Sequence, residues 1–284
     1  MVETLQLVTG AILLAIGALL VYTAWRHYQR YRTASRLETD DHGLGEPGSE
    51  TTVSGRVQVE EPASPERTMP DPPENADPPA VWAWRVRRKE ARGRGRTGST
   101  GRRGGSRHRW RTIDGGLATG KFAIESEWEH VSVDTASLID NDGAVLGEED
   151  PFEADSLFLD GPQVDVPLGD LDPITAFLTR RGIIGEDGLL GDVELTISFG
   201  RSTMTPDHYQ ATIVRDGEEL LASGELTETA DGYRLAGTVD TPLVLAAGDL
   251  TRTGAKLRRR SLTTAVAGAL FVVAGIVVVG VGIA

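Results

Sequence analysis

Ten of the chain's 26 arginines fall between Arg87 and Thr112, in "RRKEARGRGRTGSTGRRGGSRHRWRT". Guanidinium groups hold phosphates and carboxylates through paired hydrogen bonds, so Arg92, Arg94, Arg96, Arg102 and Arg103 are the candidate anion- or partner-binding residues. The run has no Phe, Tyr or Trp between Ala91 and Arg109. Single-strand nucleic-acid binders couple charge to stacking rings. Four readings are open for such a run: a nucleic-acid arm, a patch for anionic lipid headgroups, a docking arm for a protein, and a solvated loop without a partner.

Two motifs nearby imitate known sites. "GRGRTG" (Gly93 to Gly98) has the glycine spacing of a dinucleotide loop, but that chemistry needs a helix N-terminus behind it, and Ser-Thr-Gly-Arg-Arg-Gly-Gly does not make one. "LIDNDGAVLGEE" puts Asp140, Asp142 and Glu149 on the third, fifth and twelfth positions of a calcium loop. Its first position is Leu138 where an acid is required, and neither flank is helical in pattern, so an Asp-Gly turn between two strands is the better reading. The five histidines show no metal spacing, and His130 in "EWEHVSVD" reads as a surface strand residue. There is no cysteine for a thiolate nucleophile or zinc site, and no G-x-S-x-G elbow. No catalytic constellation emerges, no cofactor or metal is expected, and the chain reads as a non-catalytic module.

The elements that must position the arginine run begin at the chain ends. Leu5 to Trp25 is uncharged over about 21 residues, which as a helix spans about 30 Å, the thickness of a bilayer core. Met1 to Thr4 carries Glu3 and no base, and no cleavage site precedes Arg26, so the segment reads as an uncleaved anchor. Leu262 to Ala284 is a second uncharged run. Arg26, Arg30 and Arg32 follow the first span, and Arg258, Arg259 and Arg260 precede the second. Both basic clusters lie on the same side, so the positive-inside rule predicts a two-pass cell-membrane protein with residues 26–261 in the cytoplasm. Small residues recur every seven positions, at Gly10, Gly17 and Ala24 and again at Gly268, Gly275 and Gly282. Each set lines one helix face and suits close backbone packing, of the spans with each other or with a second copy.

Between the transmembrane helices (1–25 and 262–284) the composition changes three times. Residues 26–80 form a basic juxtamembrane segment and an acidic, proline-rich linker with one strand, "VSGRVQVEE". Residues 81–250 alternate apolar and polar positions, as in "VWAWRV", "YQATIV" and "PLVLA", with Gly and Asp-Gly turns between. The pattern predicts a mainly β soluble domain, a sandwich or partly open barrel, lying between the two transmembrane helices. It has one short helix, "DPITAFLTRRG", capped by Asp172 and ended by Gly182. Residues 91–106 are then a long loop between strands at about 82–90 and 107–113, and residues 251–261 are a second basic juxtamembrane segment. A net charge of −13 with only three lysines suits a salt-adapted protein with a carboxylate-rich surface.

"GRVQV" (Gly55–Val59), "VWAWRVRRKE" (Val81–Glu90), "WRTIDGG" (Trp110–Gly116), "FAIESEWEHVSVDTASL" (Phe122–Leu138) and "GELTETADGYRLAGTVDTPLVLAAGDL" (Gly224–Leu250) follow one another between the spans. In this order they resemble the GIDE, or BAM, domain of membrane-anchored RING ubiquitin ligases and their prokaryotic relatives. The resemblance implies a β-rich domain flanked by membrane helices. It also implies a ligase-like role, but the family's transferase chemistry sits in a zinc-binding RING, and these residues contain no cysteine to build one.

Overall fold

The computed structural model describes residues 2–39, 45–64, 77–91, 108–126, 130–139, 150–167, 208–230 and 232–283. The chain divides into two units, one made of its two ends and one of the residues between.

The first unit is a pair of helices, α1 (Val2–Thr39) and α2 (Leu250–Ile283). Both are long and apolar enough to cross a membrane. At 1.5 Å per residue they measure about 57 and 51 Å, well beyond a bilayer core, so each continues as helix through its basic flank. The predicted boundaries at residues 25 and 262 mark where the charge begins, not where the helix stops. The helices pack antiparallel along the predicted small-residue seam. Gly10 meets Gly275, and Gly17 meets Gly268, each backbone carbonyl lying against the other glycine. A Cβ on Gly17 would stand 3.1 Å from the Gly268 oxygen and 2.9 Å from the Val272 nitrogen. One heptad on, the Ser261 hydroxyl donates to the Ala24 carbonyl at 2.9 Å. One further, Gly254 faces the Tyr31 ring. The seam is therefore used within a single chain, which is the packing that seven-residue spacing permits. Gly282 lies outside the residues whose packing is described. Leu5, Leu19, Val266 and Leu270 are exposed, which suits a helix pair that crosses a membrane.

The second unit is β. Five strands close a barrel: β1 (Glu50–Glu61) pairs with β4 (Lys121–Glu125), β4 with β5 (His130–Asp134), β5 with β10 (Gly232–Ala236), β10 with β9 (Glu219–Thr229), and β9 back to β1. All pairs are antiparallel except β5 with β10. Renumbered within the barrel the order is 1-2-3-5-4-1, a five-stranded Greek-key barrel of the OB type. Two short strands, β11 (Val244–Ala246) and β6 (Leu157–Phe158), extend the sheet beyond β9. Alternate residues fill the interior: Val53 and Val57, Phe122 and Ile124, Val131 and Val133, Leu220 and Leu226, Leu235. The Asp216-Gly217 turn that leads into β9 is one of the predicted type, with Gly217 at φ +77° and the Asp216 carboxylate accepting from the Val59 amide at 2.7 Å. At Gly55 the backbone runs against the Glu125 carbonyl, leaving no room for a side chain.

A second sheet, in the order β3-β2-β8-β7, is built from β2 (Pro79–Ala91), β3 (His108–Thr119), β7 (Val164–Pro167) and β8 (His208–Arg215). Val81, Ala83, Leu117 and Val214 on one face join the barrel core. Trp82, Val86, Tyr209 and Ile213 on the other face form a separate apolar cluster. β1 is thus a barrel strand and not part of a linker; it reads as isolated in sequence because its partners come more than sixty residues later. The short helix predicted from Asp172 to Gly182 lies outside the described residues.

Candidate functional site

β2 and β3 form the hairpin that carries the arginine run, and their last pair is Ala91 opposite His108. Strand alternation sorts β2 into two faces. Trp82, Trp84 and Val86 turn toward the apolar cluster; Val81, Ala83, Arg85 and Arg87 turn the other way. The tryptophans divide accordingly. Trp82 is core, its indole N–H donating to the buried Tyr209 hydroxyl at 3.2 Å. Trp84 stacks on the Tyr209 ring, the centroids 6.4 Å apart. Burial pushes the Tyr209 hydroxyl far above its ordinary range, and the Trp82 hydrogen bond offsets this only in part, so it stays protonated at any physiological pH. Asp114, opposite Val86 where the register shifts, is also raised by burial, against the lowering effect of the Gly115 amide that it accepts.

The Arg85 face changes character along the strand. Val81 and Val214 begin it as core; Arg85 and Gln210 follow as a cross-strand pair; Arg87 and His208 end it. Asp150, capping the short 3-10 turn Pro151–Glu153, reaches Arg85 Nη1 at 3.0 Å with both side chains nearly buried. The same carboxylate accepts from the Thr112 hydroxyl at 2.6 Å and the Phe152 amide at 3.0 Å. The Arg85 guanidinium lies over the Phe152 ring, 4.5 Å from its centroid. Arg85 Nε donates to Gln210 at 2.8 Å, Gln210 Nε2 donates to Asp165 at 3.0 Å, and Asp165 meets His208 Nδ1 at 2.8 Å. One buried charge pair is thereby tied, through an amide, to an exposed acid and histidine at the sheet's end. These bonds fix the side chains of this face relative to one another.

Arg87 lies outside this network. Its Nε is buried and has no hydrogen-bond partner. Burial lowers its pKa, and so does the charge of Arg85; Asp150, Glu153 and Asp165 work against them less strongly. Around it on the same end stand Lys89 over the Trp110 ring at 6.0 Å, and Trp110 edge-on to His208 at 4.7 Å. A half-buried guanidinium beside a second cation and an aromatic ring has the chemistry to hold an anion.

Neither a family model, nor a curated protein, nor a solved structure matches this chain. The site therefore rests on its own geometry. Of the residues singled out from sequence, Arg92, Arg94, Arg96, Arg102 and Arg103 lie outside the described residues, as do Asp140, Asp142 and Glu149. The topology anchors are placed: Arg26, Arg30 and Arg32 on α1, and Arg258, Arg259 and Arg260 on α2. Arg30 is buried, which a freely solvated flank would not give. Sequence reasoning missed Arg85, Asp150, Gln210, Asp165 and His208. The alternation of "WAWRVRR" already assigns Arg85 and Arg87 to the face away from the tryptophans, but nothing in the sequence marks Asp150 or Asp165 among so many acids.

Proposed function

We propose that this is a two-span membrane protein whose β unit is held at the cytoplasmic face as a non-catalytic binding or scaffolding module. Its docking surface is the end of the second sheet with the arginine run beyond it. The observation that carries this reading is the buried, unpartnered Nε of Arg87 at the root of the run. Arg87 as a whole is half-buried, so a carboxylate from a protein partner would pair with its guanidinium and offset the charge of Arg85. The Nε itself is closed to solvent and is reached only if the side chain shifts. The cytoplasmic side and the cell membrane are assigned from the basic flanks of both spans. The order of a β domain between two apolar helices is what the GIDE resemblance implies, and it supports the proposal that the chain is related to this family. A ligase-like role would then need a separate RING-bearing partner, and unchanged protein conjugates on deletion of the gene would contradict it. The acidic composition supports salt adaptation, for which unfolding on dilution from molar salt is the test.

Crosslinking of the full protein in its native membranes tests the docking surface. A defined partner should be recovered with the wild type, lost with a chain lacking Ala91–Ser106 and weakened by Arg87→Gln. It should be retained with Arg234→Gln, an exposed arginine on the barrel. Equal recovery from all four would contradict the proposal.

A second reading has its own support. The arginine run falls in the connection between the first and second barrel strands, and OB-type barrels use that connection to bind oligonucleotides. Trp110 supplies at the hairpin's root the ring that the run lacks. Salt-dependent binding of single-stranded RNA that disappears without Ala91–Ser106 would favour it.

A further inference from the structure

Where the two helices leave the apolar zone, a groove of about 590 Å³ opens between them. Arg258 and Arg259 line it beside Leu262 and Thr263, at the start of the second uncharged run. Its other end, about 10 Å further along the axis, is lined by Ser35, Glu38 and Thr251, with Tyr31 between. Gly254 and Ala255 keep the groove open, because neither carries a side chain that could fill it. The heptad register (10 with 275, 17 with 268, 24 with 261) places Arg258 and Arg259 level with His27 and Arg26, just past Trp25. That is the depth at which a lipid's phosphate lies when Trp25 sits in the interfacial aromatic belt.

The charges along the groove are ordered. Two arginines line the membrane end, Tyr31 lies between, and the outer end holds the Ser35 and Thr251 hydroxyls with the Glu38 carboxylate, which accepts from the Thr251 hydroxyl at 2.6 Å. No ion pair involves Arg258 or Arg259 among the described residues. A guanidinium pair suits a phosphodiester. A hydroxyl-lined outer half ending in a carboxylate suits a polyol and repels a second negative charge. Leu262 and Thr263 start the face along which an acyl chain would run. We propose that this groove is a binding site for an anionic phospholipid with a neutral polyol headgroup, its phosphate on Arg258 and Arg259 and its hydroxyls toward Tyr31, Ser35 and Glu38. The site rests on the helices crossing a membrane and is independent of what the β unit binds.

The test uses the full chain, reconstituted in phosphatidylcholine discs containing a minor share of phosphatidylglycerol or phosphatidylserine, then extracted in mild detergent and weighed with its retained lipid. Phosphatidylglycerol should be retained in preference to both others. Arg258→Gln with Arg259→Gln should lower that retention at least about tenfold, as expected for losing charge-assisted hydrogen bonds. Arg252→Gln with Lys256→Gln removes the same charge from the same helix outside the groove and should leave retention unchanged. Equal loss from both double variants would replace the site with diffuse electrostatic attraction. Equal retention of phosphatidylserine would remove the role given to Glu38. Displacement by soluble glycerol phosphate would show that the groove takes a free phosphate ester, and would overturn the lipid assignment.

Discussion

The helical hairpin and the β unit are held together by opposite means. In the hairpin Gly10, Gly17, Gly268 and Gly275 let the two backbones meet, with Val279, Val272, Val21 and Leu14 seated on the space the glycines leave, and large side chains such as Leu5 and Leu270 face outward. In the β unit the core contacts are made by Phe122, Ile124, Leu226 and Leu235, fully buried, while backbone meets backbone mainly through the strand ladders. The solvent explains the difference. Lipid tails are as apolar as leucine, so burying leucine between two spans gains little, and association comes from close packing and the occasional hydrogen bond. In water each buried side chain contributes roughly 1.5–3 kcal/mol, so bulk goes inward.

The comparison is broken most directly by adding or removing bulk. Phe122→Ala should destabilise the β unit by about 3–5 kcal/mol, read from denaturant unfolding of the full chain in detergent, because the barrel cannot collapse around the cavity. Asp150→Ala should cost about 3 kcal/mol in the same measurement, since it leaves Arg85 charged and nearly buried. It should also loosen the short turn that Asp150 caps, whereas Phe122→Ala leaves that turn intact. In the hairpin the sign reverses: Gly17→Leu adds apolar bulk and should weaken pairing by about 1–3 kcal/mol. The chain has no cysteine, so cysteines placed at Ala24 and Ser261 report that pairing cleanly, with high disulfide yield in the parent and a reduced yield in the Gly17 variant. Full yield in both would mean that the glycine seam does not hold the spans.

The smallest expected effect sharpens the β side of the comparison. The Asp114 carboxyl is raised in the folded state, so folding favours its protonated form. Its penalty is absent at pH well below the ordinary value of 3.8, grows as pH rises through that value, and is complete above the folded-state pKa. Asp114→Asn should therefore raise the unfolding midpoint slightly at pH 7 and leave it unchanged near pH 2. An equal shift at both values would mean that the effect is packing, not charge.

Both spans were legible as uncharged runs, the heptad seam by its seven-residue spacing, and strands β1, β2, β3, β8 and β11 by their alternation, because each of these signals is short in range. The closure of the barrel was not. It depends on β1 meeting β4 and β9 across separations of about 65 and 170 residues, and no local pattern encodes a partner. The extension of α1 to Thr39 was missed for another reason: the charges that end the membrane zone are good helix formers, so composition changes while the helix continues. At the candidate site, "RVRR" announced cations on one face, but the unfilled donor on Arg87 depends on where Asp150 falls. Asp150 spends itself on Arg85, Thr112 and Phe152, and only the folded chain shows it.

The proposed docking function requires the β unit to lie in the cytoplasm. A single cysteine at the exposed Glu228 position, probed with a membrane-impermeant maleimide, tests this most directly. The expected result is no labelling in intact cells and full labelling once they are permeabilised. Labelling of intact cells would place the β unit outside, reverse the positive-inside assignment, and remove the cytoplasmic partner for which Arg87 is proposed.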